Sequence, residues 1–308
     1  MFTIEISEHQ NNSLNQIIIK NEVLNFNATI YPNLGASLQQ LQLKNIDIID
    51  GITSDEKGLN TYANRYNSSL LFPFPNRISD GKYDFKNGQF QLNCNDVGFN
   101  NALHGLVFDK PFEIKKVTAE KDFALVELSF TYDGCNDGFP FPFDLSVAYL
   151  FNQNSMEIGF NVKNKGESEF PYGLGWHPYF KTENIFDSVL DFEGANQFTM
   201  NAKMIPENTE DIRIKLPLAI ENNELDDCYT LNRTTCNIST PKFEMKMNYS
   251  SDENFQFLQV YTPPNRKSIA IEPMTCIGNS FNNKIGMKVL KPEDDYKWKV
   301  YLEFKLKA

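Results

Sequence analysis

Histidine, tryptophan and paired cysteine motifs are all scarce in this chain. Three histidines (His9, His104, His177) and two tryptophans stand among 308 residues, so any imidazole chemistry is confined to few places. The five cysteines, Cys94, Cys135, Cys228, Cys236 and Cys276, are odd in number and none forms a Cys-x-x-Cys pair. That pattern fits reduced thiols better than a disulfide frame. With no His-x-x-x-His pair either, it gives zinc no ligand set. Basic residues are also in deficit: 29 Lys and Arg against 40 Asp and Glu leave a formal charge of −11. Nucleic-acid binding, which needs a dense basic surface, is therefore not expected. Nor is a polybasic membrane patch. No apolar run approaches the ~18 residues of a membrane helix. The start, Met-Phe-Thr-Ile-Glu-Ile-Ser-Glu, carries no basic leader followed by an apolar stretch. These absences lead us to expect a cytoplasmic protein with no nucleic-acid and no membrane partner. Neither a glycine-rich phosphate loop nor a Gly-x-Ser-x-Gly elbow occurs, so the expected chemistry needs no cofactor and no metal.

What is plentiful is aromatic. Phe alone accounts for 26 residues and Tyr for 13, and aromatics favour strands. Period-2 alternation recurs at Phe123–Tyr132, Leu145–Phe151, Met156–Lys163, Phe243–Tyr249, Phe255–Tyr261, Ile269–Glu272 and Tyr296–Lys307. In the last segment Trp298, Val300, Leu302, Phe304 and Leu306 share one face, the mark of a half-buried strand. Turn signals punctuate these runs at Asn87-Gly88, Asp133-Gly134, Asp137-Gly138, Asn152–Ser155 and Asn164–Gly166. No amphipathic helix of three turns is expected. The nearest candidates are short stretches around Ala36–Leu43 and Asp252–Phe257. Pro140 and Pro142 are read as a loop entering a strand, not as a boundary. No linker or fixed-period repeat divides the chain. The reading is one all-β domain over residues 1–308, a large antiparallel β-sandwich or barrel.

Five segments carry more chemistry than loops require. Gly173-Leu174-Gly175-Trp176-His177-Pro178-Tyr179-Phe180 holds an imidazole on backbone that Pro178 pushes into extended geometry. Pro73-Phe74-Pro75-Asn76-Arg77-Ile78 presents a guanidinium fork after two stiffening prolines. Asn101-Ala102-Leu103-His104-Gly105 offers a second imidazole beside a glycine. Leu225-Asp226-Asp227-Cys228-Tyr229 offers two acids, one of which could accept hydroxyl protons. Ser268-Ile269-Ala270-Ile271-Glu272-Pro273 ends an apolar strand on a carboxylate, which must be paired, raised in pKa or placed at a pocket. Histidine with carboxylate is a general acid and base. Each residue also has an ordinary reading: core histidine, surface arginine, turn-capping aspartate.

In their order these segments resemble the aldose 1-epimerase (galactose mutarotase-like) family, from Tyr31-Pro32-Asn33-Leu34-Gly35-Ala36 to Glu272 and the final strand. The resemblance implies the family's supersandwich with an open cleft, and interconversion of the α and β anomers of a free sugar. It implies His177 as the general acid at the ring oxygen and Glu272 as the general base at the C1 hydroxyl, with Arg77, His104 and Asp226 holding sugar hydroxyls. Asp226 is taken before Asp227 by its place in the run. The acid role asks for a protonated His177, which a nearby carboxylate favours, and an ionised Glu272. Trp176, Tyr179 and Phe180 are expected to stack on the sugar. The lead-ins to Arg77 and His177 differ from the spelling of galactose mutarotases and place the chain in a divergent branch. The Arg-Gly-Gly-Ile-Pro signature of hexose-6-phosphate epimerases is absent, although a phosphorylated substrate stays open as an alternative. So does a non-catalytic carbohydrate-binding or sensing module on the same fold. A hydrolase with paired acids is a weaker third reading.

Overall fold

The structure is a computed structural model that describes residues 1–250 and 256–307. Strands dominate it, and every ladder between named strands is antiparallel. The largest sheet has 15 strands. Its path runs from Glu113–Ala119 through Phe123–Tyr132, Phe143–Asn152, Ser155–Asn164, Asp295–Leu306 and Phe243–Tyr249. It continues through Asp226–Ser239, Gln256–Tyr261, Ser268–Met274 and Gly175–His177 to Ser69–Leu71. A second sheet of 5 strands comes from residues 3–47. Phe26 of the small sheet packs its ring on Phe151 of the large one, 5.8 Å apart. The Tyr149 hydroxyl donates across the same gap to the Ala36 carbonyl at 2.8 Å. This is the expected all-β sandwich.

The alternating segments became strands for the reason their pattern gives. In Phe143–Asn152 and Ser155–Asn164 every second side chain is buried and its neighbours are partly exposed. In Asp295–Leu306 the buried set is Trp298, Val300, Leu302 and Phe304. Each such side chain removed from water stabilises by about 1.5–3 kcal/mol. The hairpin between Phe143–Asn152 and Ser155–Asn164 turns at Gln153-Asn154, inside the expected signal. Phe141 and Pro142 lead into a strand, as expected.

Two expectations are corrected. Ala36–Leu43 is not helical: Ser37–Leu43 is a strand of the small sheet, and a register shift between Leu38 and Gln40 breaks its alternation, leaving Leu38 and Leu41 at a helix-like spacing. A ten-residue helix, α1 (Glu56–Arg65), just under three turns long, occurs in a stretch that was not among the expected short candidates. Asp55 caps it by accepting from the Gly58 N–H at 2.7 Å, and Tyr66 closes it in the left-handed region with φ 52°. Only Gly58 and Tyr62 of α1 are buried. Gly58 is required by contact, because a Cβ there would meet the Thr53 carbonyl oxygen. The Tyr62 hydroxyl donates to the Phe108 carbonyl at 2.6 Å and accepts from Ser69 at 2.9 Å. The Asp252–Phe257 candidate and the start of Phe255–Tyr261 lie partly outside the described residues. The rest of the latter is the strand Gln256–Tyr261.

Candidate active site

The ladder register decides which side chains share a face. Cross-strand partners sit on one face, and so do residues two apart. Cys228 pairs with Gln259 and Gln259 with Glu272. Asp226 pairs with Tyr261, Tyr261 with Ala270, and Ala270 with Tyr179. Met274 pairs with Gly175, and His177 pairs with Ser69. Asp226, Gln259, Glu272, Tyr179 and His177 therefore belong to one face of the large sheet. Asp227 belongs to the other, where its carboxylate accepts from the Gln197 amide at 2.6 Å.

The two glycines before His177 are there for close approach. A Cβ at Gly173 would meet the Cys276 sulfur at 2.1 Å, and one at Gly175 would meet Pro75 at 2.9 Å. The Gly-Leu-Gly-Trp spelling thus lets the Pro73–Pro75 segment lie flat on this strand and bring Arg77 beside it. Asn76 takes a left-handed backbone, φ 57°, and its carbonyl accepts from the His104 N–H at 2.9 Å. Arg77 donates through Nε to Asp96 at 2.7 Å, and its guanidinium lies over the Phe99 ring at 5.6 Å.

His177 and Glu272 meet directly: Nε2 to Oε1 is 3.4 Å. Both are buried, at 6% and 3% exposure. The His104 ring stands edge-on to His177 with centroids 5.1 Å apart, and edge-on to Tyr66 at 4.7 Å. Asp226 is exposed to solvent, and its carboxylate accepts from the Gln259 amide at 2.9 Å. Arg77 acts electrostatically on both Asp226 and Glu272. All five residues expected to form a site are thus brought together.

The protonation pattern differs from the expectation. Burial drives the His177 pKa down to about 4, because a desolvated imidazolium is costly. Burial also drives Glu272 well above the usual carboxylate range, helped by the Asp226 charge and opposed by Arg77. Without a sugar the pair favours neutral imidazole beside neutral carboxylic acid, not the ionised form. The other single-proton form is one transfer away along the 3.4 Å contact. His104 is held well below the ordinary histidine range by burial, then by His177 and Arg77. Although the residue is exposed as a whole, partial desolvation of its carboxyl beside Gln259 raises Asp226, against the pull of Arg77.

The aromatic neighbours are corrected as well. Trp176 and Phe180 are fully buried and pack edge-on to each other in the core. Tyr179 faces the site, but its ring stacks on His177 at 5.1 Å, under the Arg65 guanidinium at 4.5 Å. None of the three offers a free face to a sugar. Sequence reasoning missed Arg65, Tyr66, Asp96 and Gln259: the first three sit outside the segments with a legible signal, and the alternation of Phe255–Tyr261 marks Gln259 only as part of a strand. Among the described residues no group of three or more His, Cys, Asp or Glu gathers as a metal site. All five cysteines are free thiols. No helix among the described residues is long and apolar enough to cross a membrane.

The antiparallel sandwich places an imidazole and a carboxyl group in contact on one sheet face, an arrangement able to donate and accept protons. The chain belongs to the aldose 1-epimerase family, whose sequence model matches residues 16–303. It is 27% identical over 279 residues to the uncharacterized protein YihR of Escherichia coli K12, covering 86% of each chain. A galactose mutarotase-like protein from Clostridium acetobutylicum superposes with a TM-score of 0.85 at 20% identity, over 99% of each chain. A galactose 1-epimerase from Lactobacillus acidophilus superposes at 0.80 and 17% identity, covering 100% of this chain and 99% of that one. At these identities the structural likenesses establish the fold.

Proposed function

We propose that this protein is a mutarotase, interconverting the α and β anomers of a free aldose by acid–base ring opening and closure. The observation that carries the reading is the 3.4 Å contact between His177 and Glu272. The ring oxygen and the C1 hydroxyl oxygen are bonded to the same carbon. An acid for one and a base for the other must therefore be neighbours, as these two are.

In the ready form His177 carries the shared proton and Glu272 is ionised. His177 protonates the ring oxygen while Glu272 takes the C1 hydroxyl proton. The C1–O5 bond breaks and an open-chain aldehyde forms. The enzyme is left with neutral imidazole and protonated carboxylic acid, the pairing that burial favours. Rotation about C1–C2 turns the carbonyl. On closure Glu272 returns its proton to the carbonyl oxygen and His177 takes one from the C5 hydroxyl. The proton inventory is restored, so no cofactor is called for. Each positioned group accounts for roughly 10²–10⁴-fold. Arg77, His104 and Asp226 hold sugar hydroxyls around the ring. Arg77 keeps its Nη groups for this, since its Nε is engaged by Asp96. We take residues 1–308 as one such unit, acting on a small-molecule sugar in the cytoplasm.

The test is the approach of fresh α-D-glucose and α-D-galactose to anomeric equilibrium, followed by optical rotation. Wild-type protein accelerates it, and Glu272→Gln and His177→Asn do not. Sugar binding by calorimetry without acceleration of any aldose would instead mark a non-catalytic binding module.

A further inference from the structure

Helix α1 ends on two consecutive residues, Arg65 and Tyr66, and each touches the ring system of the site. The Arg65 guanidinium covers one face of Tyr179 at 4.5 Å, and the His177 ring lies against Tyr179 at 5.1 Å and 25°. Tyr66 stands edge-on to His104 at 4.7 Å, and His104 edge-on to His177 at 5.1 Å. We propose that the C-terminal turn of α1 positions the imidazole pair, with Arg65 clamping Tyr179 onto His177 and holding a permanent positive charge behind that ring.

The clamp is itself anchored. Arg65 donates through Nη2 to Asp50 at 3.2 Å and to Ser268 Oγ at 3.4 Å. Ser268, fully buried, donates to the same Asp50 oxygen at 2.7 Å. The Asp50 N–H in turn donates to the Tyr179 carbonyl at 2.8 Å. Asp50 thus grips both layers of the stack, the guanidinium by its carboxylate and Tyr179 by its backbone. The Tyr66 hydroxyl accepts from the Asn95 amide at 3.3 Å, and its ring packs on Phe108 at 5.0 Å.

The groups that face His177 are Glu272 from the 268–274 strand, His104 from the loop after Ala102–Leu103, Tyr179 from its own segment, and Arg65 behind Tyr179. Of these, Arg65 alone carries a fixed charge. It opposes protonation of His177 and so makes the imidazolium a stronger acid toward a ring oxygen. Asp50, half-shielded beside it, offsets part of that charge. Planar guanidinium suits the ring face in a way an ammonium does not.

The experiment is an NMR titration of the His177 ring protons in wild type, Arg65→Met and Arg65→Lys, assigned by loss of the signal in His177→Asn. The pH–rate profile of sugar anomerisation is measured alongside. Only the activity arm rests on the mutarotase reading; the titration decides the inference even if no sugar is turned over. Arg65→Met raises the His177 midpoint by roughly half a pH unit, and moves the rate profile the same way. Arg65→Lys, which keeps the charge, stays close to wild type. Asp50→Asn, which strips the counter-charge, moves the midpoint down and covers the case in which Arg65→Met does not fold. A His177 midpoint unmoved in Arg65→Met, equal shifts in the Met and Lys variants, or an unmoved or raised midpoint in Asp50→Asn overturns the proposal.

Discussion

Nε2 of His177 lies 3.4 Å from Oε1 of Glu272, although 95 residues separate them in sequence. The contact exists because Gly175, two residues before His177, pairs with Met274, two residues after Glu272. One antiparallel register thus puts an acid and a base on the same sheet face.

If that pair works as one unit, its members are not additive. Glu272→Gln and His177→Asn each lower the anomerisation rate by roughly 10²–10⁴-fold. The double variant loses about as much as the worse single one, because removing either partner already stops the proton circuit. Steady-state rates of all three proteins check this, with circular dichroism confirming the fold.

Stability should carry the signature of the buried groups. His104 has a pKa depressed by burial, so the unfolded chain binds its proton first. Its stabilising effect is complete above about pH 6.5 and is lost as pH falls below that, at up to about 1.4 kcal/mol per pH unit. Glu272 acts in the opposite sense. Its raised pKa means the folded state holds a proton that the unfolded chain releases above about pH 4.3. Stability from this group is therefore present at low pH and lost as pH rises toward its folded pKa. His104→Asn, which keeps a residue tolerant of the left-handed backbone, flattens the fall of stability from pH 6.5 to 5. Glu272→Gln steepens it. Urea midpoints across that range read both slopes.

Asp226 and Asp227 separate the two faces of one strand. Asp226→Asn raises KM for the sugar roughly tenfold to hundredfold, the worth of one charged hydrogen bond. Asp227→Asn, on the Gln197 side, leaves KM near wild type. Equal effects from the two substitutions would contradict the facing assigned here.

The loop that delivers His104 depends on Gly105. Its φ is +79°, and an added Cβ would meet the Phe72 carbonyl oxygen at 2.2 Å. Gly105→Ala destabilises the protein by more than about 2 kcal/mol in denaturant unfolding. It also displaces His104, so catalysis falls with stability.

How much of this was legible in the sequence varies with the kind of residue. Strands with one wet face, such as Phe123–Tyr132 and Asp295–Leu306, announce themselves by alternation. Ser37–Leu43 does not, because the register shift at Gln39 interrupts its alternation. Helix α1 hides for a different reason. Its Glu-Lys-Gly-Leu-Asn-Thr-Tyr-Ala-Asn-Arg sequence is polar, holds weak helix formers and buries little beyond Tyr62. Its cap and its tertiary anchors hold it in place, and neither is a periodic signal. The site residues His177, Glu272, Arg77, His104 and Asp226 were visible as chemistry at strand ends and turns. Their protonation was not, since it depends on how deeply the fold buries them. The stacking role expected of Trp176 and Phe180 failed because alternation about His177 turns both into the core.

The central claim is that the contacting His177 and Glu272 open and close a sugar ring. Anomer-resolved NMR of a panel of free aldoses, with wild-type protein beside Glu272→Gln, tests it most directly. The account predicts that exchange between anomeric signals quickens with wild-type protein for at least one aldose and returns to the buffer rate with the variant. Buffer-rate exchange for every aldose with wild-type protein, or full activity in Glu272→Gln, would contradict it.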